Sequence, residues 1–275
     1  MSGLVVAVTV LSALMHAGWN ALLKRQSDNQ AAGFLVALGA MVLSAMLALA
    51  TGATHIPHAA WGAIALTGVL EGIYFVSLLR ALDALPLSTA YGVSRGMGVL
   101  VMWPAAALVL HESTSALATG GVLLLAAGLF STAQSAPRGP GLAWALVCAM
   151  MVGGYPLTYK YALSLGAPPF AIFALSLSGS LVIQCAALGA PRQVRIVRAL
   201  RAAPTVIALA ATLCAASFSI WLFALQYSGA AHDAAVRNVS VLFATLFGWA
   251  QGEPRTTRSL VSAAAIAAGA ICISL

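Results

Sequence analysis

Several of the few ionisable side chains in this sequence sit inside long apolar runs, where a charge is costly unless it is paired or wetted. Glu71 is flanked by Gly68, Val69, Leu70, Gly72 and Ile73. A carboxyl there is a candidate to exchange protons or to contact a polar solute. The competing reading is a structural ion pair with Arg95. At 1.5 Å per helical residue, Glu71 lies roughly 16 Å from the end of one helix and Arg95 roughly 10 Å into the next, a gap that an arginine side chain can span. Arg95, with Tyr91 and Ser94 beside it, offers a planar five-donor fork suited to a carboxylate or phosphonate. Arg237, next to Asn238, is a second fork, with Asp233 at i−4 as a ready local partner. His16, Asn20 and Lys24 recur at steps of four and drift only about 40° per step, so they form one polar stripe, with Trp19 next to it. Tyr74 shares the face of Glu71, and Trp103, Tyr155, Tyr159 and Trp221 are available to wall a pocket for an organic solute.

Other chemistries lack their residues. HExxH is absent and the five histidines are scattered at 16, 55, 58, 111 and 232, so no metal centre is expected. The four cysteines, Cys148, Cys185, Cys214 and Cys272, form no CxxC pair and read as small buried hydrophobes. No GxxxxGK(S/T) phosphate loop occurs, so ATP-driven work by this chain alone is disfavoured and no cofactor is called for.

The elements that must position these groups are membrane spans. Hydrophobic residues make up 61% of the chain and charged residues 7%, with a mean hydropathy of +0.98. A soluble domain carries roughly 25% charged residues. Apolar runs near bilayer length predict helices at about 3–23, 31–51, 60–82, 88–110, 114–134, 141–163, 169–189, 203–227, 232–250 and 258–275. Connections are short, so neighbours are antiparallel and no soluble domain intervenes. No period-2 alternation suggests a barrel. The N-terminus lacks a basic lead, so the first helix is expected to be retained rather than cleaved.

The net charge of +7 does not point to nucleic acid, because the basic residues gather between spans. Connections after the odd-numbered helices hold Lys24, Arg25, Arg80, Arg138, Arg192, Arg195, Arg198, Arg201, Arg255 and Arg258, against Lys160 on the other side. That bias puts both termini outside the cytoplasm. Lys24 and Lys160 are expected to snorkel to the interface, and Arg80 with Asp83 to form a rim pair. In the longest connection, 191–204, arginines at steps of three alternate with Ile196, Val197 and Leu200. This fits either a short interfacial amphipathic turn or a plain orientation signal.

The chain also matches itself. Ser12 through Lys24 aligns without gaps on Cys148 through Lys160 at an offset of 136, with Met, Gly, an aromatic and Lys coinciding. Ala81 through Glu112 aligns on Ala224 through Glu253 with a two-residue gap. Each half, 1–136 and 137–275, then holds five helices. An odd number inverts the second half in the bilayer, an architecture of secondary transporters. Glu71 has no acidic counterpart, since Thr212 or Cys214 stands opposite it.

His16-Ala17-Gly18-Trp19-Asn20 with Lys24, Tyr91-Gly92-Val93-Ser94-Arg95-Gly96, and Glu112 resemble the EamA family of the drug/metabolite transporter superfamily over nearly the whole chain. The resemblance implies an all-α membrane protein of ten transmembrane helices, two inverted five-helix repeats around a central cavity, and export of amino acids and related metabolites. For many relatives it also implies cytoplasmic termini, against the charge count. A proline often found in the fourth helix of each half is present as Pro104, whereas the second half has Thr245 and Leu246 there.

These readings converge on a multi-pass protein of a bacterial inner membrane, monomeric or homodimeric. The expected activity is alternating-access transport of small polar metabolites bearing a carboxylate or phosphonate. Expected substrate-binding residues are Glu71, Arg95, Tyr91, Ser94, Tyr74, His16, Trp19, Asn20, Arg237, Asn238 and Tyr155, with Glu71 also the proton-coupling group. A membrane scaffold without transport and, less well supported, an intramembrane enzyme are the alternatives. The scaffold predicts no water-accessible polar interior.

Overall fold

The computed structural model describes residues 3–109, 111, 115–133 and 139–274. Among them the chain forms α1 (Gly3–Lys24), α2 (Asn29–Ala50), α3 (Trp61–Ala84), α4 (Leu87–Val109), α5 (Ala116–Ala133), α6 (Pro140–Ser164), α7 (Pro169–Leu188), α8 (Arg192–Ala202), α9 (Pro204–Gln226), α10 (Ala230–Arg237), α11 (Ser240–Ala250) and α12 (Thr257–Ser274). No strand occurs among the described residues. Among the described residues six helices are long and apolar enough to cross a bilayer: α1, α2, α3, α6, α7 and α9, while α5 and α12 are apolar but shorter. Glu112 and the boundary between residues 136 and 137 lie outside the described residues.

Local chemistry sets the helix ends. The Asp28 side chain accepts from the Ala31 amide and caps α2. Prolines open α6, α7 and α9 in the first turn, where the missing N–H is not needed. The predicted span 232–250 is two helices. The Asn238 amide bonds to the carbonyls of both Ala234 and Ala235, and that of Val239 to Val236. The α-helical turn tightens there and restarts at Ser240. The segment after α7 forms a full eleven-residue helix, α8.

Packing places α3 against α6 and α7, α1 against α9, and α2 against both α7 and α9. α4 lies on α5 and α6, and α5 on α12. Glycine permits close approach between helices: a Cβ at Gly68 would sit 2.9 Å from the Ser176 carbonyl, so only glycine lets α3 and α7 meet at that depth.

Lys24 Nζ donates to the carbonyls of Leu82 and, at 2.8 Å, Leu85, at the C-terminus of α3. Lys160 Nζ donates to Leu225 at 2.9 Å and Ser228 at 2.7 Å, at the C-terminus of α9. Each lysine therefore caps a neighbouring helix, because unpaired carbonyls and the helix dipole favour a cation there. Arg80 stacks over Trp144 at 4.4 Å and Asp83 accepts from Gln30 at 3.2 Å, so the expected rim pair is not formed. Arg195 bridges α8 to Asp28 before α2, at 2.7 Å. That guanidinium holds the Asp28 carboxyl below the usual carboxylate range.

Candidate functional site

His16, buried midway along α1, is where polar side chains from three other helices converge. Its Nε2 faces Tyr74 Oη of α3 at 3.1 Å and the Arg95 guanidinium of α4, and its Nδ1 faces Arg237 Nη2 of α10 at 3.2 Å. Tyr91 Oη donates to the His16 carbonyl at 3.2 Å, and Trp19 meets the imidazole edge-on at 5.1 Å.

Arg237 is held loosely by hydrogen bonds. Nη1 reaches Tyr155 Oη and Nη2 reaches Ser217 Oγ, both at 3.4 Å, and Nε has no partner. Aromatic faces hold it instead: its guanidinium carbon lies 4.2 Å from the centre of the Trp221 ring and 4.7 Å from that of Phe218. The nearby carboxylates are engaged elsewhere. Asp233 accepts from Thr9 at 2.6 Å rather than pairing with Arg237. Glu71 Oε2 accepts from Ser176 Oγ at 2.9 Å rather than pairing with Arg95, and Oε1 has no partner.

A neutral imidazole has one N–H and one lone pair, and a guanidinium only donates. Two guanidiniums facing the two nitrogens of one imidazole therefore leave at least one of them without an acceptor on that ring. The cluster holds two buried positive charges and no hydrogen-bonded carboxylate, an arrangement suited chemically to accepting an anion. Arg95 and Arg237 also share a cavity with Val99, Met102, Tyr155, Trp221 and Asn238. Its volume is ≈ 10 Å³, room for about one water. A larger solute fits only if these helices part.

Glu71 belongs to a second polar set, in which Ser176 Oγ also meets Tyr159 Oη at 2.5 Å. The Tyr155 ring joins the two sets, 5.4 Å from Tyr74 and 6.2 Å from Tyr159 between centroids. Thus His16, Tyr74, Tyr91, Arg95, Tyr155 and Arg237 come together, and Asn238 lines their cavity. Asn20 Nδ2 returns to the His16 carbonyl at 2.8 Å, and Ser94 Oγ bonds to Ala90 and Tyr91 carbonyls of its own helix. Neither side chain is hydrogen-bonded to a guanidinium. Ser176, Ser217 and Phe218 carry no signal in the sequence, because serine and phenylalanine in apolar helices have ordinary packing roles.

Residues 139–275 match the EamA-like transporter family. No curated protein sequence matches the chain. A solved structure, described only as the crystal structure of a protein, superposes with a TM-score of 0.72 over 98% of this chain and 98% of its own. At 16% identity that likeness is one of fold alone.

Proposed function

Since the chain belongs to the EamA-like transporter family, we propose that it is a secondary transporter of small anionic or zwitterionic metabolites, amino-acid-like or otherwise bearing a carboxylate or phosphonate. It works as an exporter by alternating access between two inverted halves, 1–136 and 137–275, in a bacterial inner membrane. The observation that carries this reading is the convergence of Arg95 and Arg237 on opposite nitrogens of His16 with no carboxylate bonded to either. A carboxylate or phosphonate supplies the acceptor that the imidazole cannot, and the walls of Tyr155 and Trp221 receive the organic part of the solute.

The two-half arrangement draws support from paired roles. Lys24 and Lys160 cap the C-termini of α3 and α9, and α1 packs on α9 as α6 packs on α3. Alternating access follows from the same charges. When α4 and α10 approach, their guanidiniums repel each other through a medium of low dielectric unless an anion lies between them. Bound anion thus favours the closed form and empty sites favour opening, a differential interaction of the kind that a ligand needs to shift such an equilibrium.

Glu71, buried beside Ser176 with one oxygen unpartnered, is the proton-coupling group of this proposal. The test is a screen for metabolite resistance that identifies a transported solute, followed by flux in proteoliposomes under a proton gradient. Glu71→Gln is expected to abolish uphill flux while leaving solute exchange intact. Unchanged uphill flux rejects this role. Cysteine substitutions at positions 71, 91 and 95 separate transporter from scaffold, since only a transporter exposes them to water-borne thiol reagents during its cycle.

A further inference from the structure

Among the described helices α8 is strongly amphipathic and takes no part in the core. None of the residues of α8 is buried. It rests on α2 and α9 through Arg195, Ile196 and Ala199, which are half-exposed. Its outward face carries Val194, Val197 and Leu200, exposed at 52%, 45% and 45%. At 3.6 residues per turn these three fall within an arc of about 120°, with Arg198 along its edge and Arg201 at its C-terminal end. Two open grooves flank the helix, one of ≈ 650 Å³ lined by Val194, Val197, Arg198 and Arg201, the other of ≈ 450 Å³ lined by Pro191 and Arg192.

The arginines of α8 are unequal in their partners. Asp28 takes both Nε and Nη2 of Arg195, at 2.7 and 2.8 Å. Among the described residues no carboxylate lies at ion-pair distance from Arg192, Arg198 or Arg201. An aqueous setting would satisfy these arginines but not the apolar stripe between them. The neighbours indicate the setting: α8 directly joins α7 to α9, and the exposed apolar belt of both begins close by. Val182 lies about 9 Å before the end of α7, and Leu209 about 7.5 Å after the start of α9, at 1.5 Å per residue. The rim between that belt and water is where lipid phosphates lie.

We infer that α8 is a binding surface for anionic phospholipid, with Val194, Val197 and Leu200 set into the acyl boundary and Arg198 and Arg201 on the lipid phosphates. Anionic lipid is the occupant that matches both halves of the face, since it offers uncompensated phosphate charge at the level of the arginines and hydrocarbon below them. Through Arg195 and Asp28 the bound lipid also ties the α1–α2 connection to the bilayer surface.

The test uses the full chain with its four cysteines replaced by alanine and Val197→Cys carrying an environment-sensitive fluorophore, in mixed micelles titrated with phosphatidylglycerol or phosphatidylcholine. Phosphatidylglycerol is expected to shift the emission to the blue in a saturable way, and phosphatidylcholine to do so only at far higher mole fraction. Arg198→Gln and Arg201→Gln are each expected to raise the half-saturating phosphatidylglycerol fraction about fivefold. Circular dichroism and gel filtration of the same variants confirm their fold, as these exposed positions permit. Equal responses to the two lipids, insensitive to both arginines, overturn the inference. So does a shift that follows protein concentration instead of lipid, which assigns the face to a second copy of the chain.

Discussion

Glu253 reaches across 166 residues to the start of α4, where it accepts from the Leu87 amide at 2.5 Å, the Ser88 amide at 3.3 Å and Ser88 Oγ at 2.6 Å. Those amides are among the first of the helix, which no helical carbonyl can satisfy. Tyr91 and Arg95 follow within about two turns, so this cap steadies the helix end that carries them to His16. Losing an N-terminal cap costs ~0.5–2 kcal/mol, and losing a carboxylate at a helix N-terminus a further ~0.3–1 kcal/mol. Glu253→Ala should therefore cost about 2 kcal/mol, a fall of roughly 4–8 °C in Tm for a chain of this size.

Gly248 offers an independent perturbation of the same contact. A Cβ there would lie 2.4 Å from Glu253 Oε2 and 2.6 Å from its Cδ, so Gly248→Ala must push the carboxylate off α4. Without that conflict, alanine for glycine within a helix stabilises by up to about 1 kcal/mol. The sign of Gly248→Ala is thus set by Glu253: destabilising in the parent chain, neutral or stabilising in Glu253→Ala. A double-mutant cycle from thermal unfolding in detergent measures this, and hydrogen exchange over residues 87–95 localises it. Gly248→Ala that stabilises the parent, or Glu253→Ala that leaves exchange over 87–95 unchanged, refutes the reasoning.

Other consequences concern the helix ends. Because Arg195 depresses the Asp28 carboxyl below its ordinary value of 3.8, the stability it contributes is complete above that value and is lost as pH falls through the folded-state one. Asp28→Asn is expected to flatten the acid limb of a Tm–pH profile below about pH 4 while lowering Tm at neutral pH; an unchanged acid limb contradicts the assignment. Lys24→Met and Lys160→Met each strand C-terminal carbonyls and should lower stability by about 1–3 kcal/mol, measured as Tm in detergent. Related halves require comparable losses from the two, and a loss confined to one lysine argues against their equivalence.

The parts of this molecule that are legible in sequence are those set by one segment alone. Apolar run length places α1, α2, α3, α6, α7 and α9 within a few residues of their observed bounds, because burying a helix in lipid constrains composition over its whole length. The break after Arg237 is not legible. Asn238-Val239-Ser240 contains neither glycine nor proline, and the tightened turn depends on how Arg237 is packed among Trp221, Phe218 and His16. Depth along a helix can be counted, which put Glu71 and Arg95 within reach of each other. Azimuth cannot, and it turns Glu71 toward Ser176 of α7. The stripe of His16 was visible on α1, but its meeting with two arginines depends on α1 lying beside α10 and α11. Lys24 and Lys160 are legible as cations at helix ends, but the carbonyls they reach are not, because those belong to other helices.

The account rests on Arg95 and Arg237 as the pair that takes up an anion. Its most direct test is the concentration dependence of solute counterflow in proteoliposomes, comparing the parent chain with Arg95→Gln and Arg237→Gln on the carboxylate or phosphonate that the screen identifies and on its neutral amide or ester. Truncating one partner of a buried charge pair costs about 2–5 kcal/mol, so each substitution should weaken apparent affinity for the anion by at least roughly 30-fold. The preference over the neutral analogue should disappear in the double variant. Anion affinity and preference left intact in the double variant would place the solute elsewhere and contradict the account.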